Sequence, residues 1–431
     1  MADLTVDSNV YQHTELGNGL WGPYWVDSDT GVIIILDASG NPNARKTTDG
    51  GATWGAAVEA AAEIAHHLAC VFDREVVGDT GDKVHVAWLD SGANAVRYAA
   101  YDISANTWGT AATVASSVAE NGLTLSLNGM VITKARSGRL VVGYHNGSGG
   151  VAGSAESTDG GANWAGITSL FEASSGHDAA RHAYCNTGDD ADVAVVYWDV
   201  SAAEVSIKVH DDSADTVTET AVGASADDVG TPVQRSNIST ATRHHDGHVL
   251  LAIFDEEDAA TADQRVWDLN INSVASPTVT GKTDVGANVA EGGSIGIFVD
   301  QRTADVYCTY SRGGTWLTSV TVYYKKSTDG MATWGSELAM QENAAADMRA
   351  LSAGYAGTGG GRFQPIWYDN VANDILVNLT NDVAIASGIF GAGKAGGGKG
   401  KGGNQPGPGE PPKKPLRTSL SKSWKWDRGW R

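Results

Sequence analysis

Seven times along the chain, an apolar stretch with period-2 alternation runs into a side chain of chemical interest. "VIIILD" ends at Asp37, "KVHVAWLD" at Asp90, "LVVGYHN" at Asn146, "VAVVYWD" at Asp199, "VLLAIFD" at Asp255, "VYCTYSR" at Arg312 and "FQPIWYD" at Asp369. Carboxylates held about 5–10 Å apart are the equipment of glycoside hydrolysis. Asp90, Asp199, Asp255 and Asp369 are therefore candidate catalytic residues. The competing explanation is structural, because an aspartate ending a strand can bond the backbone of the turn that follows. His66, His67, Arg181, Arg235 and Arg349 fall near the starts of the preceding strands, at the same end of each unit.

These residues recur because the elements that carry them recur. Successive end positions are 53 to 57 residues apart, and a fixed period of that size signals a repeated supersecondary unit. Each apolar strand is preceded by another, as in "HHLACVFD" (66–73) and "AARHAYC" (179–185). It is followed by a third, as in "AVRYAAYD" (95–102), "EVSIKVHD" (204–211) and "DILVNLTND" (374–382), and then by a weaker fourth such as "AAVEAAAE" or "SELAMQE". Gly, Asp and Ser fill the turns, and no sustained 3.6-residue period appears. Seven such units occupy the chain to about residue 391. The expected fold is all-β: a seven-bladed β-propeller of four-stranded antiparallel blades, an arrangement that leaves short, protected sheet edges. The residue two before each strand end is Ile35, Trp88, Tyr144, Tyr197, Ile253, Tyr310 or Trp367; period 2 puts these on one face, where they pack between neighbouring blades. The last blade lacks an outer strand after "DILVNLTND". The N-terminal "DLTVDSNV" (3–10) is expected to supply it, with "VAIASGIF" (383–390) as the competitor.

Three eight-residue strings punctuate the repeat: "TTDGGATW" (47–54), "STDGGANW" (157–164) and "STDGMATW" (327–334). They resemble the Asp-box, or BNR repeat, of the sialidase-like propellers. The resemblance is carried by Asp49, Gly50, Gly51 and Trp54, by Asp159, Gly160, Gly161 and Trp164, and by Asp329, Gly330 and Trp334. A relaxed copy, "YDISANTW", ends at Trp108. The family places this motif on a tight turn between third and fourth strands, on the rim opposite the ligand face, so it implies architecture and leaves chemistry open. Sialidases of this family use an arginine triad, a tyrosine nucleophile assisted by a glutamate, and an aspartate acid/base. Arg181, Arg312 and Arg349 join the aspartates as candidate catalytic residues on that ground. The arginine that the family carries at the opening of its propeller is missing from "GLWGPYWVDSD" (19–29), and the family's sialidases have six blades. The resemblance therefore implies glycan recognition more strongly than sialidase activity.

The chain of 431 residues carries 30 basic and 51 acidic side chains, a net charge of −21, which argues against nucleic acid as the main partner. Cys70, Cys185 and Cys308 are too widely spaced for a metal site or a disulfide framework and are expected to be buried. No cofactor is expected. The acidic stretches "DSDTG" (27–31), "DDAD" (189–192) and "DEED" (255–258) are the places for a Ca²⁺ ion, although none has an EF-hand pattern. No run suits a membrane span, and "MADLTVDSNV" has neither a basic n-region nor an apolar h-region.

Composition changes near residue 391. Residues 392–431 hold ten Lys/Arg and two acids, a charge of +8, which leaves residues 1–391 at −29. This Gly/Pro/Lys-rich linker cannot bury enough apolar surface to fold alone. It leads to "SKSWKWDRGW", in which Trp424, Trp426 and Trp430 with Lys425 and Arg428 form an expected anchor. The expected partner is a neighbouring protein of a virion or scaffold, a neighbouring copy of the chain being another. The sequence reading is a virion-associated, phage-type propeller whose open face meets host-surface glycan. A glycoside hydrolase using open-face aspartates and a purely architectural protein are the alternatives, with cytoplasmic residence as the alternative location.

Overall fold

A computed structural model describes residues 4–8, 10, 20–118, 130–146, 151–171, 180–185, 189–199, 202, 204–222, 238–254, 264–272, 277–286, 295–312, 321–340, 348–352, 355–356, 361–369, 374–377 and 383–385. The fold is a seven-bladed propeller of four-stranded antiparallel sheets. The innermost strands, in order, are Leu20–Trp25, Ala65–Phe72, Met130–Lys134, Ala180–Ala183, Ile238–Arg243, Ile295–Val299 and Met348–Ser352. Each packs beside the next, and the seventh packs beside the first, so the ring closes. Blades 1 to 7 are numbered by these strands.

The seventh blade is assembled from both ends of the propeller. Leu4–Ser8 pairs antiparallel with Asp374–Val377, which continues into Ile366–Asp369 and Met348–Ser352. Val383–Ile385, from the competing segment, pairs instead with Gly361–Phe363. The Ala-rich stretch near residue 60 is not helical; blade 1 has a fourth strand of only two residues, Val58–Glu59. The expected anchoring residues Trp424, Lys425, Trp426, Arg428 and Trp430 lie outside the described residues.

Seven apolar clusters fill the seven seams between blades. Each takes in one of the residues two before a strand end. Ile35 joins Tyr368 and Val6 in the seam of blades 7 and 1, and Trp88 joins Ile34 and Tyr101 between blades 1 and 2. Tyr144, Tyr197, Ile253, Tyr310 and Trp367 occupy the next five seams in turn. Burying a side chain of this size contributes about 2–3 kcal/mol, so each periodic position adds to the adhesion of its seam. All three cysteines are buried and none is in a disulfide; burial pushes the Cys308 thiol up, which keeps it inert.

Candidate functional site

Two faces offer themselves. One bears the strand-ending aspartates and the loops that enter the innermost strands; it is called here the open face. The other bears the Asp-Gly turns and the connections between first and second strands.

On the open face, three strand-ending carboxylates serve as backbone acceptors. Asp37 Oδ1 accepts from the N–H groups of Ser39 and Asn41 at 2.8 and 3.0 Å. Asp90 Oδ1 accepts from Gly92 and Ala93 at 2.9 and 3.1 Å, and Asp199 Oδ1 from Ala202 at 3.0 Å. Asp90 and Asp199 are buried, each in its own blade. This is the turn-capping role that competed with catalysis. Asp369 is buried at the end of Ile366–Asp369, opposite Asp374 in the register. Burial, together with the charges of Asp369 and Asp7, raises the Asp374 carboxyl above its ordinary range. Asp374 was missed in the sequence because it begins a strand instead of ending one. Asp255 lies outside the described residues, as do the side chains of Arg181, Arg312 and Arg349.

Ring–glutamate pairs recur in alternate blades. Trp88 Nε1 donates to Glu63 at 3.0 Å, Tyr197 Oη to Glu219 at 2.5 Å and Tyr310 Oη to Glu337 at 2.6 Å. A tyrosine bonded to a glutamate has the composition of a glycosidase nucleophile. Tyr197 and Tyr310 are nevertheless fully buried in blade seams, where no substrate reaches them.

The acidic stretches also use their carboxylates locally. Asp27 Oδ1 accepts from Asp29 and Thr30, at 2.8 and 2.6 Å, and Asp189 Oδ1 from Ala191 at 2.9 Å. Among the described residues no group of three or more His, Cys, Asp or Glu is arranged to hold a metal ion.

On the opposite face, the three Asp-Gly strings form one repeated turn between third and fourth strands. Asp49 Oδ1 accepts from Thr47 Oγ1 at 2.8 Å and Thr53 N at 2.9 Å, and its Oδ2 from Thr53 Oγ1 at 2.6 Å. Asp159 repeats this with Ser157 and Asn163, and Asp329 with Ser327 and Thr333. These bonds hold the Asp159 carboxyl at about 2, well below its ordinary value. Gly50, Gly160 and Gly330, and the residues after them, have φ between +69° and +93°. The second position is where the copies diverge. A Cβ on Gly161 would lie 1.9 Å from Tyr98 Cε1, and one on Gly51 would lie 2.5 Å from Gln364 Oε1. Met331 has no such obstacle and is buried in the seam of blades 5 and 6. Trp164 meets Tyr98 of blade 2 edge-on with ring centroids 5.2 Å apart, while Trp54 and Trp334 pack on the seams of blades 7 and 1 and of blades 5 and 6. The motif clamps each of the three blades that carry it to the one before it.

Tyr98 leads inward to a buried polar chain. His85 Nδ1 accepts from Tyr98 Oη at 2.7 Å, and His85 Nε2 donates to Asp73 Oδ1 at 2.9 Å. Lys134 of blade 3 bonds Asp73 and reaches Asp79 at 2.8 Å. Burial would raise the Asp73 carboxyl, but His85 and Lys134 outweigh it and hold the group far below its ordinary range. Burial lowers His85, so the ring is neutral.

Asp73 starts a segment that spans the ring. Residues 73–82 leave blade 2 between Ala65–Phe72 and Lys83–Asp90. Arg74 donates to the carbonyl of Val26 in blade 1 at 2.5 Å and to its own segment at Gly81 at 2.9 Å. Val76 is part of the apolar cluster between blades 4 and 5. The Arg74 carbonyl accepts from Tyr355 of blade 7, whose Oη accepts in turn from His244 Nε2 of blade 5 at 3.0 Å. A loop of blade 2 that touches blades 1, 3, 4, 5 and 7 must cross the axis. Among the described residues, then, this segment plugs the axis at the turn face. Length does not single this segment out in the sequence, because the equivalent connection of blade 7, between Met348–Ser352 and Ile366–Asp369, is longer.

No protein-family model matches the chain, and no curated protein matches it. Solved structures do. A hydrazine synthase of Kuenenia stuttgartiensis aligns with a TM-score of 0.50 at 10% identity, over 86% of this chain and 97% of that one. A polysaccharide lyase, an ulvan lyase, aligns at 0.49 and 11%, over 87% and 94%. A Hadza microbial sialidase aligns at 0.43 and 13%, over 82% and 77%. The first of these likenesses bears on the fold alone.

Proposed function

We propose that the chain is a glycan-binding propeller of the Asp-box type, presenting its open face to a host-surface glycan and held on a virion or scaffold by its C-terminal tail. The single observation that carries the choice of face is the axial plug: residues 73–82 close the axis at the turn face and the clamping turns occupy part of its rim, which disfavours that face as the place where ligand docks. Binding without turnover is favoured because Asp90 and Asp199 spend their carboxylates on turns. The buried Tyr197 and Tyr310 likewise offer no nucleophile to a substrate. The tail supplies the tether in this reading, since its +8 charge and three tryptophans suit an acidic, partly apolar partner.

A second reading, a glycoside hydrolase, rests on Asp369 and Asp374. Two acids of which one is raised are what general acid/base chemistry requires. A glycan array probed with the full chain, followed by a hydrolysis assay of every glycan bound, separates the readings. Binding without turnover is the expected result. Turnover that disappears in Asp369→Asn or Asp374→Asn would replace the binder with an enzyme. Absence of both binding and turnover would leave an architectural protein.

A further inference from the structure

A cavity of about 440 Å³ lies beside the first Asp-Gly turn, lined by Lys46, Thr48, Thr53, Trp54 and Val58 of blade 1 and Asn106 of blade 2. It sits where third and fourth strands connect, outside the ring of innermost strands that the axial plug spans. Residues 1–391 carry a charge of −29, yet no carboxylate is among the described residues of the lining, and its charged group is Lys46.

Lys46 stands immediately before the first turn motif. Glu156 holds the same position before the second and Lys326 before the third. Those two have ionic partners: Glu156 bonds Arg139 at 2.5 Å, and Lys326 bonds Asp305 at 2.5 Å. Among the described residues Lys46 has no acidic partner. Its Nζ donates to the carbonyl of Ile103 in blade 2 at 2.6 Å, which leaves two of the three ammonium hydrogens unspent. The rest of the lining is also rich in donors. Asn106 accepts from Tyr101 Oη through Oδ1, so its amide nitrogen still has two hydrogens to give. Thr48 is exposed and its hydroxyl makes no hydrogen bond among the described residues. Thr53 donates its hydroxyl to Asp49 Oδ2. Trp54 and Val58 are half-buried and supply apolar surface.

We propose that this groove is a ligand site apart from the open face, and that it takes a small monocarboxylate whose oxygens accept from Lys46, Asn106 and Thr48 while its body lies against Trp54. Three converging donors and no lining acid are the chemistry of an anion site, and a charge-assisted hydrogen bond is stronger than a neutral one. One ammonium offsets one negative charge, and the acidic body repels polyanions, so a single carboxylate fits better than a phosphate. The cavity is near the small end of the range for ligand pockets, which suits a compact molecule.

The test is saturation-transfer nuclear magnetic resonance on the full chain, with benzoate as the probe, benzamide as its neutral counterpart and inorganic phosphate as a competitor. Benzoate should bind saturably, benzamide about tenfold or more weaker, and phosphate should displace benzoate only in large excess. Lys46→Gln removes the charge and keeps a donor, and should weaken benzoate by about tenfold or more. Lys326→Gln, at the equivalent position that already has its acid, should leave benzoate binding unchanged. No saturable benzoate binding, or equal binding of benzoate and benzamide, would overturn the proposal. So would a loss in Lys326→Gln as large as that in Lys46→Gln, or displacement of benzoate by an equal concentration of phosphate. The wild-type arms stand alone, so a Lys46→Gln chain that failed to fold would not shield the proposal.

Discussion

Replacing Gly161 by alanine tests the view that the Asp-Gly turns clamp one blade to the previous one. The added Cβ would sit 1.9 Å from Tyr98 Cε1 and 2.5 Å from Cζ. Tyr98 is buried, edge-on to Trp164, and its hydroxyl bonds His85. The ring cannot swing away without abandoning both. Three costs follow. The left-handed backbone, φ +93°, costs an alanine roughly 1–2 kcal/mol. Forcing the ring aside costs about 1–3 kcal/mol. Weakening the bond to buried His85 adds about 1 kcal/mol. Together these predict a loss of about 3–6 kcal/mol, read as a fall in the urea midpoint at constant slope. Gly160→Ala is the control: φ is +75° and a Cβ there meets nothing, so only the backbone cost of about 1–2 kcal/mol applies. Adding Tyr98→Ala to Gly161→Ala should remove the collision and give a coupling of about 1 kcal/mol or more. Equal losses in Gly160→Ala and Gly161→Ala would refute the clamp.

Three further outcomes follow from the same contacts. Met331→Gly relieves a backbone at φ +73° yet empties a buried site between blades 5 and 6. Burial outweighs strain, so calorimetry should find the glycine variant less stable although glycine occupies that position in the other two turns. The Asp159 carboxyl is held at about 2 by Asn163 and Ser157. A depressed carboxylate contributes stability above its ordinary value of 3.8 that is lost as pH falls toward 2; Asp159→Asn should flatten that acid limb in thermal melts at pH 2 to 5. Asp73→Asn would leave the buried Lys134 with Asp79 as its remaining acidic partner and disturb His85. A drop of about 3 kcal/mol or more in denaturant stability is expected, without change in the far-ultraviolet signature of the blades.

How much was legible in the sequence depended on whether a feature repeated. The period of strand ends gave the blade count because each unit buries the same positions in a seam, as Trp88, Tyr197 and Trp367 do. The turn motif was legible for the same reason, and its Met331 exception became intelligible only once Tyr98 and Gln364 were seen against the equivalent glycines. The aspartates were visible as residues but not as roles: a carboxylate that caps a turn and one that attacks a sugar have the same letter, and only the bonds of Asp90 and Asp199 tell them apart. The plug was not legible because nothing repeats it. Arg74, His244 and Tyr355 come from blades 2, 5 and 7 and meet once, in bonds that a one-dimensional pattern does not carry. The Asp369–Asp374 pair was half legible, since one of the two sits at the start of a strand.

The central claim is that ligand meets the face opposite the clamping turns. Its most direct test is an exchange footprint of the full chain with and without the tightest glycan from the array. The account predicts protection in open-face peptides, among them those spanning residues 59–65, 90–95 and 199–204, with no change at 48–54, 158–164 and 328–334. Protection centred on those three turns, with the open face unchanged, would contradict it.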